Sequence, residues 1–154
     1  MPFFEIGIYQ SKRIYNLGTL WRTAYQLGAT GVFTIGRRYE RQPSDPFVVE
    51  RQIPLRNFEN FTQFLAQRPV NTLLVGIEDG GTPLAEFDHP PQAIYLLGAE
   101  DIGLPAVVRE KCNCIVTLDA MVRASYNVAV AGSIVMYDRV FGRRLGYPHQ
   151  TKTN

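Results

Sequence analysis

The hydrophobic pattern of this chain alternates between short apolar runs and segments in which apolar residues recur at helical spacing. The apolar runs predict five buried β-strands, at residues 3–9, 31–35, 71–77, 93–97 and 115–118. The helical spacing predicts helices that begin near Asn16, after Asn57, at Pro105 and near Asn127. Strands that alternate with helices predict an α/β domain on a mostly parallel sheet, with helices on both faces. Residues 47–56 fit neither pattern.

The last predicted helix has an unusual beginning. In residues 123–140 a small polar cluster is followed at once by a run of almost wholly apolar residues. Either Ser125 or Asn127 can act as its N-cap, accepting hydrogen bonds from the first free backbone N–H groups. The apolar run is too uniform for a surface helix, so we expect it to be covered by its own domain or by a second subunit.

Gly, Pro and Asn residues predict where several of these elements begin and end. Gly28 is expected to end the first helix, and Gly80 with Gly81 is expected to turn the chain after the third strand. Asn57 is a candidate N-cap for the second helix. Asn16 either caps the first helix or binds substrate, and both roles are compatible.

Composition fits a soluble globular protein. The chain has 154 residues, of which 45% are hydrophobic and 19% charged, and its net charge is +2. We therefore expect one domain over residues 1–147 and a flexible tail over residues 148–154. No apolar run approaches the ~20 residues of a membrane span, and the N-terminus lacks a signal sequence, so we expect a cytoplasmic protein.

Several kinds of site are excluded by inspection. The chain has no dinucleotide-binding, P-loop, zinc-protease or nucleophile-elbow motif. His89 and His149 have no obvious partner and are interpreted as surface histidines. Cys112 and Cys114 are one residue apart near a strand, where neighbours point to opposite faces, so we expect reduced thiols and no metal site.

Arginine predominates among the basic residues. Only Lys12, Lys111 and Lys152 of the 16 basic residues are lysines, and the rest are arginines, which suit bidentate phosphate contacts as well as ordinary ion pairs. The loop that contains Arg37, Arg38 and Arg41 is a candidate nucleic-acid contact, and a solvated charged loop is the alternative. Two further candidates, in the turn after the first strand, are Lys12 and Arg13.

Three predicted loops carry suggestive residues at the carboxyl ends of strands, where ligands gather in parallel sheets. They are Asn16 to Arg22, Gly98 to Leu104 and Leu118 to Asn127. Three sequences in these regions, NLGTLWRTA from Asn16, GAEDIGLP from Gly98 and SYNVAVA from Ser125, resemble the three motifs of the SpoU–TrmH family and occur in the same order. The members of this family are RNA ribose 2′-O-methyltransferases of the SPOUT superfamily. The length is similar to that of members with the catalytic domain alone, a group that includes tRNA wobble-ribose methyltransferases.

The resemblance implies a fold and a cofactor. In this family the C-terminal segment threads a loop to make a deep trefoil knot, which general rules of topology would have rejected. The knot binds S-adenosylmethionine, largely through backbone groups, and the apolar final helix packs in a homodimer. The positions that the resemblance places near the cofactor are Ile77, Gly98, Ile102, Gly103, Leu118, Ser125, Asn127 and Val128.

The resemblance also implies catalytic residues for methyl transfer to RNA, with tRNA favoured. The family's catalytic arginine is matched by Arg22. In the family this arginine is sometimes assigned as a base, but a guanidinium is effectively always protonated. The alternative is that Arg22 orients the hydroxyl and an RNA phosphate and stabilises developing charge. Glu100 either pairs with Arg22 or holds the backbone N–H groups of its loop, and a purely structural capping role is the further alternative. The remaining catalytic candidates are Asn16, Ser125 and Asn127.

One position departs from the family pattern, and two alternatives to the enzyme remain. The family often has Arg directly before the serine of the third motif, whereas here Ala124 occupies that place and Arg123, a candidate phosphate contact, lies one residue earlier. A non-catalytic RNA-binding or assembly protein would keep the knotted dimer. A flavodoxin-like domain would need a phosphate-binding loop after the first strand, and Gln10 to Arg13 is a poor one.

Overall fold

Six parallel strands form one sheet in a computed structural model that describes residues 2–37, 52–122 and 124–142. The strands are β1 (Phe3–Tyr9), β2 (Gly31–Ile35), β3 (Leu55–Phe58), β4 (Leu73–Pro83), β5 (Gln92–Leu97) and β6 (Cys114–Thr117). Their order across the sheet is β3-β2-β1-β5-β4-β6. The five predicted strands are confirmed, and the ambiguous segment before Asn57 leads into a sixth, β3, at the sheet edge beside β2.

Helices cover both faces of the sheet, as predicted. They are α1 (Ile14–Gln26), α2 (Phe61–Gln67), α3 (Ala106–Arg109) and α4 (Val128–Phe141), with a single 3₁₀ turn at Leu84–Glu86. One hydrophobic core joins α1 and α4 to the sheet, and a second core on the opposite face includes Phe64 of α2 and Val108 of α3. The result is three layers, helix on sheet on helix.

The sequence of β5 is typical of a central strand in a parallel sheet that is covered on both faces. Every residue from Ala93 to Leu97 is buried. Tyr95 and Leu97 belong to the core beneath α1 and α4, whereas Ile94 and Leu96 belong to the core on the opposite face. A strand with both faces covered reads as a continuous apolar run, which is what the sequence pattern detected.

Helix α4 lies unusually close to the sheet and to α1. A Cβ atom on Gly132 would lie 2.5 Å from Leu20 Cδ1 and 2.9 Å from Leu97 Cδ1, so a larger residue there would require these leucine side chains to move. Val135 and Met136 are buried on the same side of the helix. The domain itself therefore covers one side of the apolar run, while Val130 and Tyr137 remain about half exposed.

Two predicted helix caps are wrong and one is right. Helix α1 begins at Ile14, and its N-cap position is occupied by Arg13 without a side-chain cap, so Asn16 lies inside the first turn. Helix α2 is capped by Asn60, whose Oδ1 accepts a hydrogen bond of 2.8 Å from Gln63 N, because Asn57 is taken up in β3. For α4, Asn127 is the cap, as one of the two alternatives predicted.

The predicted turn at Gly80 and Gly81 is also wrong, because β4 continues to Pro83. Between Ile77 and Thr82 the pairing of β4 with β6 shifts register, and the chain bulges instead of reversing. Gly80 has a φ of +82°, and a Cβ atom on Gly81 would lie 2.3 Å from Ile115 O. The glycines therefore permit a bulge that lies against β6.

His89 is not the unpartnered surface residue expected from the sequence. Its Nδ1 lies 2.6 Å from Tyr95 Oη and its Nε2 lies 2.9 Å from Asp138 Oδ2, and only 11% of its side chain is exposed. Arg139 donates to Tyr95 Oη and to the carbonyl oxygen of Pro90. Burial raises the pKa of Tyr95 to about 12, against the opposing effect of Arg139. This network fastens the C-terminal half of α4 to β5.

The two cysteines are free, as predicted. Burial is the main reason that the pKa of Cys112 rises to about 11, with a smaller contribution from Cys114. Burial also raises the pKa of Cys114. Both thiols therefore stay protonated near neutral pH and are poor nucleophiles.

Some expectations concern parts of the chain for which the structure gives little or no information. The predicted tail, residues 148–154, and His149 lie outside the described residues. Within the described ranges, no helix is long and apolar enough to cross a membrane. The same ranges contain no group of three or more His, Cys, Asp or Glu side chains arranged to hold a metal ion.

Candidate active site

Three loops lie at the carboxyl edge of the sheet, where ligands bind in α/β folds. The β1–α1 loop covers residues 10–13, the β5–α3 loop residues 98–105 and the β6–α4 loop residues 118–127. Strands β1 and β5 are neighbours in the centre of the sheet, although 82 residues of the chain lie between Tyr9 and Gln92. The sheet thus brings the first two predicted motifs together.

The carboxylate of Glu100 holds the β1–α1 loop in place. Its Oε2 accepts a hydrogen bond of 2.9 Å from Lys12 N. Its Oε1 accepts hydrogen bonds from Asn16 Nδ2 at 2.8 Å, Ser11 Oγ at 3.2 Å and Arg13 N at 3.3 Å. Of the roles considered for Glu100, these bonds show the holding of backbone N–H groups, which belong to the loop after β1 and to the N-cap position of α1.

These hydrogen bonds set the ionisation of Glu100. Burial by itself would raise the pKa of the carboxyl, but the bonds from Lys12 N, Asn16 and Ser11 together lower it below its ordinary value. The charged form is therefore favoured in the folded protein. Glu100 is accordingly an acceptor at neutral pH and a poor proton donor.

The side chain of Asn16 links the first motif to the third. Asn16 is 2% exposed. Its Nδ2 donates to Glu100, and its Oδ1 accepts a hydrogen bond of 3.0 Å from Asn127 Nδ2. The Oδ1 of Asn127 in turn accepts from Ala129 N and Val130 N at the start of α4. One continuous chain of hydrogen bonds therefore connects all three loops.

The β5–α3 loop is tightly folded on its own backbone. Gly103 N donates to Ala99 O at 3.0 Å, and a Cβ atom on Gly98 would lie 2.2 Å from the carbonyl carbon of Gly103. Gly103 itself has a φ of +64°, and a Cβ atom there would lie 2.3 Å from Glu78 Oε2. Neither position can carry a side chain, so this loop presents bare backbone.

Two residues that the sequence interpretation missed hold this region together. Glu78, at the bulge of β4, accepts a hydrogen bond of 2.8 Å from Leu104 N. Thr117, at the end of β6, donates to Glu78 O and accepts from Gly81 N, both at 2.7 Å. A carboxylate directly after a buried strand was the available signal for Glu78. Nothing in the sequence indicated its partner 26 residues away.

The predicted cofactor positions fall into two groups. Ile77, Gly98 and Val128 are buried, and Leu118 is partly buried against the core beneath α1 and α4. Ile102 is 64% exposed, and Ser125 is also exposed. Met121 and Val122 expose further apolar surface on the β6–α4 loop. Backbone groups beside exposed apolar side chains are the combination found in many small-molecule and cofactor sites, which are mostly apolar with a few polar groups.

Arg22 lies on α1, six residues beyond Asn16, which corresponds to a rise of about 9 Å along the helix. Its side chain is exposed, whereas Leu17, Leu20, Trp21 and Ala24 form the buried side of α1. The Cα–Cβ bonds of a helix tilt toward its N-terminus, so the side chain of Arg22 starts in the direction of Asn16. Arg22 therefore lies on the exposed side of α1, less than two helical turns beyond Asn16.

The basic residues predicted to bind RNA are partly committed to the β1–α1 loop. Arg37 Nη1 donates to the carbonyl oxygens of Ser11 at 3.1 Å and Lys12 at 2.6 Å. Lys12 forms an ion pair with Asp101, and Arg13 donates to Tyr15 Oη at 2.8 Å. These three cations border the site while supporting its shape. Arg38, Arg41 and Arg123 lie outside the described residues.

Comparison with known protein families identifies the relationship. Residues 4–137 match the model of the SpoU rRNA methylase family. The chain belongs to this family. The match runs from β1 into α4 and includes all three loops, so the hydrogen-bonded chain from Glu100 to Asn127 lies inside the region that defines this family of methyltransferases.

Curated relatives of similar sequence are longer. A protein of Mycobacterium tuberculosis described as an uncharacterized tRNA/rRNA methyltransferase is 28% identical over 138 residues, which are 84% of this chain and 42% of the relative. A second, from Mycolicibacterium vanbaalenii, is 27% identical over 151 residues, or 94% of this chain and 48% of the relative. This chain therefore spans less than half the length of these two proteins.

Solved structures share the fold. An AdoMet-bound rRNA methyltransferase from Sinorhizobium meliloti has 25% identity and a TM-score of 0.74, covering 93% of this chain and 56% of that one. A second structure, described as giving insight into the 2-OH methylation of C/U34 on tRNA, has 24% identity and a TM-score of 0.78. It covers 94% of this chain and 97% of its own. At these sequence identities the similarity shows a shared fold.

The lowered pKa of Glu100 predicts how the stability of the site depends on pH. A carboxyl whose pKa is lower in the folded than in the unfolded state stabilises the fold above its unfolded pKa and stops doing so as the pH falls. In Glu100→Gln this contribution is absent. We expect the difference in unfolding free energy between wild type and variant, measured by urea denaturation, to be constant near neutrality and to shrink below about pH 4.5.

The matched control for this measurement is Glu110→Gln, a change at an exposed carboxylate just beyond α3. We expect this control to alter the unfolding free energy little at any pH. An equal difference between wild type and Glu100→Gln in acid and at neutrality would contradict the assigned role of the charge.

Proposed function

We propose that this protein transfers a methyl group from S-adenosylmethionine to a ribose 2′-hydroxyl of RNA, with tRNA as the favoured substrate. The observation that carries the proposal is the hydrogen-bonded chain from Glu100 through Asn16 to Asn127. It joins the loops of three motifs that resemble those of RNA ribose methyltransferases. The fold shared with the structure concerned with 2-OH methylation of tRNA supports the same reaction class.

The β5–α3 and β6–α4 loops would hold the cofactor. Gly98 and Gly103 keep side chains out of the way of the backbone, and Ile102 and Leu118 supply apolar surface. Ser125, Asn127 and Val128 follow on the third loop, and Ile77 lies beneath them in β4. When bound, S-adenosylmethionine supplies an electrophilic methyl group on a sulfonium.

The chain's own groups must position the ribose and stabilise charge on its 2′-oxygen. That oxygen bonds to the methyl carbon as the bond from this carbon to sulfur breaks, the hydroxyl proton passes to water, and S-adenosylhomocysteine is the second product. A ribose hydroxyl has a high pKa and is a weak nucleophile, so alignment and charge stabilisation both lower the barrier. We assign Arg22 to orienting the hydroxyl and stabilising the oxygen as negative charge develops on it, because a guanidinium does not give up its proton in proteins. Asn16, Glu100 and Asn127 fix the loops around that oxygen.

We also propose that the C-terminal segment is knotted as in the SPOUT superfamily. The β6–α4 loop leaves β6 at the edge of the sheet, and it returns to the centre where Asn127 bonds to Asn16. Arg139, further along α4, donates to the carbonyl oxygens of Pro90 and Pro91 just before β5. These long-range bonds support a path in which residues after β6 pass close to the segment between β4 and β5.

The proposed RNA surface is the basic border of the site. Lys12, Arg13 and Arg37 lie around the β1–α1 loop and are exposed. Arginine and lysine at such a border bind phosphates and set the register of an RNA strand. Arg38, Arg41 and Arg123 are further candidates from the sequence. An RNA substrate is consistent with a cytoplasmic location.

The proposal predicts that substitution of Arg22 separates catalysis from cofactor binding. In Arg22→Ala we expect the transfer of labelled methyl from S-adenosylmethionine to total tRNA to fall on the order of a hundredfold or more, as when one donor to a developing oxyanion is lost. Arg22→Lys keeps the charge but not the fork of donors, so an intermediate rate is expected. Calorimetry should give nearly the same affinity for S-adenosylhomocysteine in all three proteins.

Two outcomes would contradict this account. Equal loss of transfer and of cofactor affinity in Arg22→Ala would place Arg22 in the wrong role. Failure of the well-folded wild type to bind S-adenosylmethionine or S-adenosylhomocysteine would exclude the enzyme and leave the non-catalytic RNA-binding alternative.

We further propose that the protein is a homodimer formed through α1 and α4. A groove of about 670 Å³ runs between the outer sides of these helices. Its lining includes Thr19, Thr23, Leu27, Val130, Ile134 and Tyr137. Exposed apolar surface of this kind on a soluble domain marks an interaction site. A second copy of α4 supplies matching apolar surface and would cover the half-exposed side of the helix.

The dimer predicts that charge in the groove separates the subunits. We expect sedimentation velocity to show a dimer for the wild type and a monomer for the double variant Val130→Asp, Tyr137→Asp, because two carboxylates would have to be buried without partners. The control is Val107→Asp, at an exposed position on α3 on the opposite face of the sheet. A monomeric wild type, or an unchanged dimer in the double variant, would contradict the proposal.

A further inference from the structure

Two exposed tyrosines flank the hydrogen bond between the first and third motifs. Tyr15 directly precedes Asn16, and Tyr126 directly precedes Asn127. The two asparagine side chains are joined at 3.0 Å, and consecutive Cα atoms are only about 3.8 Å apart. Each ring therefore begins one residue from the centre of the site. The exposed fractions are 58% for Tyr15 and 40% for Tyr126.

Both rings are fixed by their hydroxyl groups and not by burial. Arg13 Nη1 donates to Tyr15 Oη at 2.8 Å. Tyr126 Oη donates to the carbonyl oxygen of Asp119 at 2.8 Å, within the β6–α4 loop. A ring held by its hydroxyl has lost part of its rotational freedom before any ligand arrives, so binding to its face costs less entropy. These aromatic surfaces are preorganised and open to solvent.

We infer that Tyr15 and Tyr126 form a stacking site for unpaired bases of the RNA next to the ribose that reacts. The inference rests on the proposed function and adds a class of substrate to it, namely single-stranded RNA such as a loop. Aromatic side chains stack on any base because every base has a π-face. Bases within a duplex already stack on one another, so a stacking site next to the reacting ribose selects unpaired nucleotides.

The surrounding charges suit this occupant. Arg13, which holds the hydroxyl of Tyr15, is exposed beside the ring, and Lys12 and Arg37 lie on the same loop border. A cationic border next to aromatic faces is the combination by which proteins bind single-stranded nucleic acids, since the cations follow the backbone while the rings take the bases. Arg13 thus both positions Tyr15 and supplies charge for a phosphate.

The experiment uses a short single-stranded oligoribonucleotide that carries 2-aminopurine, whose fluorescence falls when it stacks on an aromatic ring. The probes are this strand alone and its duplex with a complementary strand. The variants are Tyr15→Leu and Tyr126→Leu, with Tyr15→Phe and Tyr126→Phe as conservative replacements. Tyr25→Leu is the matched control, because Tyr25 is similarly exposed on α1 but lies nine residues beyond Asn16.

We expect each Leu variant to bind the single strand about tenfold more weakly and to quench 2-aminopurine less, since that is the scale of one lost base stack. The Phe variants keep the ring but lose the hydroxyl that holds it, so they should quench 2-aminopurine like the wild type and bind the single strand at most a few-fold more weakly. Tyr25→Leu should behave like the wild type, and binding to the duplex should be weak and unaffected by any of the changes. Thermal unfolding checks that each variant is folded.

Three results would overturn the inference. These are Leu variants that bind the single strand as the wild type does, Leu variants that lose single-strand and duplex binding equally, and Leu variants that lose S-adenosylhomocysteine affinity while RNA binding is kept. The last would assign the rings to the cofactor. Failure of the proposed function appears separately, as absence of cofactor binding by a wild type that still shows tyrosine-dependent stacking.

Discussion

The arrangement of the site depends on the buried amide of Asn16. A buried polar group without a partner costs about 1–3 kcal/mol, and Asn16 is 2% exposed. Its two polar atoms are satisfied by Glu100 and by Asn127, which come from the other two motifs. The fold is therefore stable in this form only when the β1–α1, β5–α3 and β6–α4 loops are assembled around the same point. The hydrogen bonds that satisfy the buried Asn16 side chain therefore also fix the relative positions of the three loops.

Glu100 adds an electrostatic element to the same assembly. Helix α1 has Arg13 at its N-cap position and no side-chain cap of its own. The carboxylate of Glu100, from a different loop, accepts hydrogen bonds from Lys12 N and Arg13 N at this end of the helix. A negative charge there is also favoured by the helix dipole. The helix that carries Arg22 is therefore anchored by the second motif.

Much of this structure follows from local sequence pattern. The buried strands were predictable because parallel strands in the middle of a sheet read as apolar runs, as Ala93 to Leu97 does. Asn127 was predictable as a cap because a polar residue precedes an apolar helical run. The resemblance of three motifs named candidate site residues, and the structure shows that Asn16, Glu100 and Asn127 are connected by hydrogen bonds.

The features that the sequence did not predict depend on contacts between distant residues. The His89 ring is hydrogen-bonded to Asp138, 49 residues away, and the Glu78 carboxylate accepts a hydrogen bond from Leu104 N. The glycines at 80 and 81 predicted a turn, yet β6 provides a pairing partner that keeps the strand going through a bulge. Asn57 lost its predicted cap role because β2 pairs with the segment that contains it. In each case tertiary pairing overrides the local preference of the residue.

Nucleoside mass spectrometry of methylated RNA tests the central claim most directly. Unmodified RNA is incubated with the protein and S-adenosylmethionine, digested to nucleosides, and examined for the position of the added methyl group. If the three loops joined by Asn16 form a site that activates a ribose hydroxyl, the product is a 2′-O-methylnucleoside. A methyl group on a base, or none despite bound cofactor, would contradict the account.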